Sequence, residues 1–208
     1  MSEQPATRSR NRRGEGARLR DEIVAAAAGL IDETGDESAV TLRSVARRVG
    51  IAAPSIYRHF PDQPSIMLAL VQQEFDGLAE QLRAALDAAG ADPVERLFAG
   101  CNAYLQFAED HPSRYRLMFG GVWMPALDDT SITESDLSTL GDASIELLTG
   151  MLSGCVTAGL ATSTDLQADA IALWLGLHGL AHQRASTVSF PWPPDIAERM
   201  ITALAHLK

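Results

Sequence analysis

Two histidines four positions apart are the first residues whose spacing could do chemistry. In the segment His178-Gly-Leu-Ala-His182, both imidazoles would lie on one face of a helix, an arrangement that a metal ion can use. The segment lacks the acidic residue of the His-Glu-x-x-His pattern. We therefore expect core histidines with satisfied hydrogen bonds and no metal site.

The sequence shows no pairing of a nucleophile with a base. It contains no Gly-x-Gly-x-x-Gly, no Walker lysine motif, no Gly-x-Ser-x-Gly and no Cys-x-x-Cys. Cys101 and Cys155 are too few for a disulfide scaffold, and we expect them to be buried thiols in a reducing compartment. The sequence therefore predicts no catalytic residues, no cofactor and a protein that is not an enzyme.

Composition and length are ordinary for a folded, water-soluble protein. The chain has 208 residues, of which 46% are hydrophobic and 21% are charged. The longest apolar stretch, residues 170–181, is shorter than the roughly 20 residues that cross a bilayer. No apolar segment follows the N-terminal arginines as in a signal peptide. We expect a cytoplasmic protein with no membrane partner.

Charge is distributed unevenly between the two parts of the chain. The formal net charge is -10, which argues against a general nucleic-acid binder. Residues 1–60, however, hold ten arginines against eight acidic residues, whereas the rest of the chain is strongly acidic. This difference favours two interpretations: only the N-terminal part approaches a polyanion, or its arginines form an ordinary solvated face.

Apolar residues recur at helical spacing almost throughout, and no strand alternation is evident, so the sequence predicts an all-α fold. The predicted helices cover residues 19–35, 42–49, 53–60, 62–90, 94–110, 112–119, 134–159, 166–188 and 196–207. The loop over residues 120–133 is long enough to suggest a lid. We predict a flexible basic arm (1–16), a three-helix helix-turn-helix DNA-binding domain (17–62), a connecting helix (63–90) and a helical ligand-binding and dimerisation domain (91–208).

The spacing in residues 41–60 is typical of a helix-turn-helix. Thr41 is a good N-cap, Gly50 ends a short helix, and Pro54 lies in the first turn of the next helix, where its missing N–H costs nothing. Two short helices this close cross at a steep angle, so the second could enter a major groove. Ile56 and Phe60 would point inward. The outward residues would be Ser55, Tyr57, Arg58 and His59.

The segment Thr41-Leu-Arg-Ser-Val-Ala-Arg-Arg-Val-Gly-Ile-Ala-Ala-Pro-Ser-Ile-Tyr-Arg-His-Phe-Pro-Asp resembles the DNA-binding head of the TetR family of transcriptional regulators over about residues 18–70. Trp174-Leu-Gly-Leu-His-Gly-Leu and His111-Pro-Ser-Arg-Tyr-Arg-Leu-Met-Phe are similar to the effector-binding type named for its Trp-His-Gly signature. The resemblance implies a homodimeric, ligand-responsive repressor that binds a double-stranded DNA operator.

The same resemblance assigns residues to DNA contacts. It implies backbone or groove contacts for Thr41 and Arg43, phosphate contacts for Tyr57 and His59, and base contacts for Pro54 and Ser55. The sequence departs from the family at Gln63, where a phosphate-binding lysine is usual, and at two alanines that replace polar base readers. Arg58 and the arginines of the arm could compensate. The predicted DNA-binding residues are Thr41, Arg43, Ala52, Ala53, Pro54, Ser55, Tyr57, Arg58, His59 and Gln63.

In the second part of the chain, soft and aromatic side chains could line an adaptable apolar cavity for a small hydrophobic effector. The last two predicted helices carry more apolar surface than one core needs and could form a two-fold, four-helix dimer interface. A regulator controlled by a protein partner, or one without an effector, remains an alternative, as does a helical small-molecule enzyme. The predicted ligand-binding residues are Phe98, Cys101, Tyr104, Leu105, Phe107, Met118, Trp123, Met151, Cys155, Trp174 and His178.

Overall fold

The computed structural model describes residues 15–120 and 127–208, and over these residues the predicted all-α fold is confirmed. The predicted arm up to residue 14 and the predicted ligand residue Trp123 lie outside the described residues. The α-helices are α1 (Glu15–Thr34), α2 (Leu42–Val49), α3 (Ala53–Ile56), α4 (Gln63–Ala88), α5 (Pro93–Asp110), α6 (Pro112–Phe119), α7 (Glu134–Ser138), α8 (Asp142–Thr157), α9 (Leu166–Ser186) and α10 (Ile196–Leu204).

The helices group into two compact units, which we describe separately. The first contains the described residues up to Gln73 and the described residues of the range Phe119–Thr139, and the second contains Glu74–Met118 and Leu140–Lys208. Among the described helices, none is both long enough and apolar enough to cross a bilayer. Fully buried side chains of the first unit include Ile23, Val45, Ile56, Phe60 and Ile66, and those of the second include Leu97, Tyr104, Leu148, Leu152 and Leu173.

The boundaries of α2 agree with the prediction because its two ends are determined by local side-chain and backbone chemistry. Thr41 Oγ1 accepts a hydrogen bond from the Ser44 amide (3.0 Å), and Ser44 Oγ accepts one from the Thr41 amide (2.9 Å). This capping box satisfies amides that the first turn leaves without partners. At the other end, Gly50 adopts φ +74°, which ends the helix.

Replacing Gly50 with alanine should destabilise the first unit by about 1 kcal/mol, because an L side chain is strained at positive φ although the space around Gly50 is open. Gly77, an exposed glycine inside α4 that also has open space, is the matched control. Gly77→Ala should stabilise the protein, since alanine is the better helix former. Thermal unfolding followed by circular dichroism measures the change in Tm for both variants. Equal changes in Tm would contradict a special role for positive φ at Gly50.

The predicted third helix, residues 53–60, is too long. In the structure α3 ends at Ile56, and residues 57–59 form a turn in which the amides of His59 and Phe60 both donate to Ile56 O at 2.9 Å. Pro61 disfavours helical geometry at Phe60, so the chain leaves the helix before it. We call residues 53–60 the recognition turn.

The single predicted helix over residues 134–159 is also wrong. The structure breaks it into α7 and α8 at Gly141, which has φ +84°. A Cβ at Gly141 would lie 2.9 Å from Cε1 of Phe75, so both the backbone angle and the close approach require glycine. Apolar spacing alone does not reveal such a break, because the helical pattern continues in phase across it.

The last predicted helix ends earlier than expected, at Leu204 rather than Leu207. His206 adopts φ 51°, and Leu207 forms an isolated antiparallel bridge with Ala161. The Lys208 amide donates to Leu160 O at 3.0 Å. Backbone hydrogen bonds to the segment after α8 therefore replace the helical bonds of the final residues.

Candidate functional site

The recognition turn is buried on its inner side and exposed on its outer side. Ile56 and Phe60 are 0% and 2% exposed, which confirms their predicted inward orientation. The guanidinium of Arg20 lies 5.0 Å from the centroid of the Phe60 ring, a cation–π contact within the first unit. Since Ile56 in the middle of this short segment and Phe60 at its end are both buried in the core, its outer side chains are held on a rigid base.

Most of the predicted DNA-binding residues are accessible on the helix-turn-helix of the first unit. Tyr57 is 59% exposed. Thr41, Arg43, Ala52, Ala53, Pro54 and Arg58 are exposed as well, whereas Ser55, His59 and Gln63 are half-buried. Hydroxyl, imidazole and guanidinium groups on an exposed helix-turn-helix can donate hydrogen bonds to phosphate oxygens and to the acceptor atoms of guanine edges. We call these residues together the head surface.

Arg48, next to the head surface, makes a structural contact that the sequence did not reveal, and Thr41, within the head surface, makes the capping contact that the sequence predicted. Arg48 forms a bidentate ion pair with Glu33, with Nη1–Oε2 and Nη2–Oε1 distances of 2.6 Å, which joins α2 to α1. The hydrogen bonds from Arg48 lower the pKa of Glu33. Thr41, in addition to its exposure, donates its hydroxyl to Ser44 Oγ at 3.0 Å. The Arg48 guanidinium is therefore committed to Glu33, and the Thr41 hydroxyl already takes part in the cap.

Asp62 makes contacts on both sides of its carboxylate. Oδ1 accepts from the Ser65 amide (2.9 Å) at the start of α4 and from Ser131 Oγ (3.1 Å), and Oδ2 accepts from the Ser131 amide (2.7 Å). Partial burial alone would raise the pKa of Asp62, but the hydrogen bonds from Ser65 and Ser131 outweigh it and keep the pKa below 3.8. We call the contact between Asp62 and Ser131 the clasp.

In the second unit, four aromatic side chains form a hydrogen-bonded network. Tyr115 Oη lies 3.2 Å from Tyr104 Oη and 2.7 Å from Nδ1 of His178, and Trp174 hydrogen-bonds Tyr104. An indole N–H only donates, so the order Trp174 to Tyr104 to Tyr115 to His178 satisfies each hydroxyl. Three of these residues, Tyr104, Trp174 and His178, are predicted ligand residues, and Tyr115 is not among the predicted ones.

Burial determines the protonation of this network. It raises the pKa of Tyr104 strongly and that of Tyr115 to about 12, so both phenols stay protonated. Desolvation, and then the neighbouring charge of His182, lower the pKa of His178 below 6.5. The rings of His178 and His182 stack with centroids 6.5 Å apart. Among the described residues no group of three or more potential ligands could hold a metal ion.

The depressed pKa of His178 should make stability depend on pH. The unfolded chain binds a proton at His178 near pH 6.5, while the folded chain resists it, so the free energy of unfolding should fall as pH decreases below about 6.5. Urea unfolding of the wild type and of His178→Gln across this range isolates the contribution. A parallel decline in both proteins would show that other groups cause it.

The remaining predicted ligand residues mostly lie in the core. Cys101, Leu105, Phe107, Met151 and Cys155 are buried, and Phe98 and Met118 are half-buried. Burial raises the pKa of the Cys101 thiol to about 12 and also raises that of Cys155. Met151 alone of this set lines a described cavity of about 490 Å³ between α4, α5 and α8. Its other lining residues are Arg83, Leu86, Arg96, Ala143, Glu146, Leu147 and Gly150.

Helices α9 and α10 pack closely and still leave apolar side chains exposed. A Cβ at Gly176 would lie 2.5 Å from Cδ1 of Leu204, so this glycine permits the contact between the two helices. Ile171 and Leu175, one turn apart on α9, are 40% and 55% exposed. An apolar pair on the outside of a helix is typical of a surface that another helix covers.

A helix-turn-helix head joined to an all-helical second unit is the architecture of a one-chain transcription regulator. Two family models match the chain: "Bacterial regulatory proteins, tetR family" over residues 23–70, and "Tetracyclin repressor-like, C-terminal domain" over residues 97–207. The chain belongs to the TetR family. The match to the second unit confirms the family but not the Trp-His-Gly type.

Two curated relatives are similar to about half of the chain. The chain is 30% identical over 105 residues to the nucleoid occlusion factor SlmA of Vibrio vulnificus, a match that covers 50% of this chain and 53% of the relative. It is 31% identical over 100 residues to the HTH-type transcriptional activator FasR of Mycolicibacterium smegmatis (48% and 45% covered). The chain thus spans about half the length of the curated relatives it matches.

Structural similarity extends over nearly the whole chain. A protein of unknown function from Rhodococcus sp. RHA1 superposes with a TM-score of 0.71 at 24% identity, covering 98% of this chain and 95% of that one. The putative regulatory protein SCO4313 gives 0.69 at 23% identity, with 94% and 98% covered. At such identities the similarity supports the fold alone.

Proposed function

We propose that this protein is a homodimeric DNA-binding repressor that binds a palindromic operator and is released from it by a small hydrophobic effector. The observation that carries the proposal is the head surface: a rigidly anchored recognition turn with Tyr57 and Arg58 exposed. Two such turns related by a two-fold axis would enter successive major grooves, which explains why the operator should be palindromic.

The exposed apolar pair on α9 supports a dimer. Ile171 and Leu175 would be covered by the same helix of a second chain, because a two-fold interface uses the same surface twice. Gly179 has no atom within 4 Å of its would-be Cβ, so a partner helix could approach α9 closely there. The proposed interface consists of α9 and α10 from each chain, as a four-helix arrangement.

The aromatic network supports an effector site of the Trp-His-Gly type in the second unit. Tyr104, Tyr115 and His178 offer a few directed hydrogen bonds within an otherwise apolar interior, a typical lining for a hydrophobic ligand with one polar group. An effector that binds the DNA-incompetent form about 100-fold more tightly supplies about 2.7 kcal/mol of coupling, enough for release. The proposed setting is the cytoplasm, and the proposed role is not enzymatic.

Selection of bound sequences from a random duplex pool at two salt concentrations tests the proposal. A recovered palindrome with salt-sensitive binding supports a dimeric regulator and supplies the probe for screening hydrophobic compounds for release. Weak retention that is independent of sequence would contradict it. Transcription from a promoter carrying the palindrome, with and without the protein, distinguishes a repressor from an activator.

A second candidate is a DNA-binding regulator controlled by a protein partner. The similarity to a relative named as a nucleoid occlusion factor favours it, because that name describes a role other than effector-controlled transcription. A palindrome that is bound tightly, but from which no compound releases the protein, would favour this candidate. Release by a compound, at a concentration that also saturates its binding site in the second unit, would favour the repressor controlled by a small effector.

A further inference from the structure

The clasp joins the first unit's two stretches of chain. Asp62 follows the recognition turn by two residues, whereas Ser131 belongs to the stretch between α6 and α7. Ser131 gives both its amide and its hydroxyl to one carboxylate, at 2.7 and 3.1 Å. Hydrogen bonds to an ionised acceptor are the stronger kind, so this contact fixes the two stretches relative to each other.

The residues that directly follow Ser131 are anchored by burial and by a helix cap. Ile132 is 5% exposed, and Thr133 forms a capping box with Asp136 at the start of α7. The Thr133 amide donates to Asp136 Oδ2 at 2.8 Å, and the Asp136 amide donates to Thr133 Oγ1 at 3.2 Å. Ser131 therefore directly precedes a capped and anchored helical turn.

The same carboxylate also begins α4. Asp62 Oδ1 accepts from the Ser65 amide at 2.9 Å, as an N-cap does. The clasp thus fixes the first turn of α4, and the recognition turn ends at Phe60, two residues before it. A change in the position of residue 131 would move Asp62 and, through the backbone, the end of the recognition turn.

We propose that Asp62 and Ser131 are positioning residues for DNA reading: the clasp holds the recognition turn in its DNA-competent orientation, and loss of the clasp lowers operator affinity. This inference rests on the proposed function.

The decisive variant is Asp62→Ser. Serine remains a good N-cap for α4, but its shorter side chain does not reach Ser131, so the variant separates capping from the clasp. Removing a negative charge near DNA would by itself strengthen binding. If the clasp positions the recognition turn, Asp62→Ser should have the opposite effect and decrease operator affinity about tenfold. Ser131→Ala, which keeps the amide donor, should show a smaller decrease.

Asp36→Ser is the matched control, because Asp36 also lies in the first unit and caps a turn by accepting from the Ser38 amide at 2.8 Å. It removes the same charge without touching the clasp. Operator binding is measured with the duplex selected by the wild type, alongside hydrogen exchange of the Ser131–Ser138 amides. We expect weaker binding and faster exchange for Asp62→Ser and neither change for Asp36→Ser.

Two results would overturn the inference. Equal or tighter operator binding by Asp62→Ser would show that the clasp does not position the recognition turn. Equal losses for Asp62→Ser and Asp36→Ser would show a general effect of carboxylate removal. If the wild-type protein selects no duplex, the proposed DNA-binding function is contradicted, and the positioning role with it. The wild-type selection therefore tests the proposed function, and the comparison of the two variants tests the clasp.

Discussion

Arg58→Ala is expected to lower operator affinity by about 100-fold or more while the protein remains folded and dimeric. The guanidinium is exposed at the outer side of the recognition turn, and it makes no described contact within the chain that would need replacement. A good contact between arginine and a guanine edge contributes about 1–3 kcal/mol, and a two-fold dimer loses it twice. Electrophoretic mobility shifts with the selected palindrome measure the loss.

Tyr57→Ala should act in the same direction, because the ring is 59% exposed and its hydroxyl is available to a phosphate. The control is Arg83→Ala, which removes an exposed arginine from the second unit and should leave binding unchanged. Full operator affinity in either recognition-turn variant would place DNA reading elsewhere in the chain.

Leu175→Glu is expected to convert the dimer into monomers and, as a consequence, to abolish tight operator binding. Leu175 is 55% exposed in the single chain, so a carboxylate there is tolerated in the monomer. In the proposed interface the same carboxylate would be buried twice against apolar side chains, at a cost of several kcal/mol. Sedimentation equilibrium at micromolar concentration measures the association state.

The matched control is Leu160→Glu, since Leu160 is also a partly exposed leucine, at 39%, but lies in the turn after α8 rather than on α9 or α10. That variant should remain dimeric. If Leu175→Glu sediments as a dimer with the wild-type dissociation constant, the interface does not include this face of α9.

The helix-turn-helix could be predicted from sequence because its signals are local. Thr41 and Gly50 bound α2 by capping and by a positive φ, and both effects act within four residues. The inward positions of Ile56 and Phe60 follow from helical spacing. The prediction failed at the end of α3, where the geometry before Pro61 outweighed a helical pattern that continued to Phe60.

The contacts between distant residues could not be predicted. The hydroxyl of Tyr115 contacts both Tyr104 and His178, and His178 lies 63 positions after Tyr115 in the sequence. No periodicity indicates which polar side chains meet in the core. The break at Gly141 depends on Phe75, and the clasp joins residues 69 positions apart. Such contacts depend on tertiary packing, which one sequence without its fold does not specify.

The burial of both native thiols has a practical consequence for measuring motion in this protein. Cys101 and Cys155 are inaccessible, and their raised pKa values keep them in the unreactive protonated form. A maleimide spin label or fluorophore should therefore react only with a cysteine introduced at an exposed position such as Arg47. The natural chain therefore needs no removal of its own cysteines before labels are attached for distance measurements across the proposed dimer.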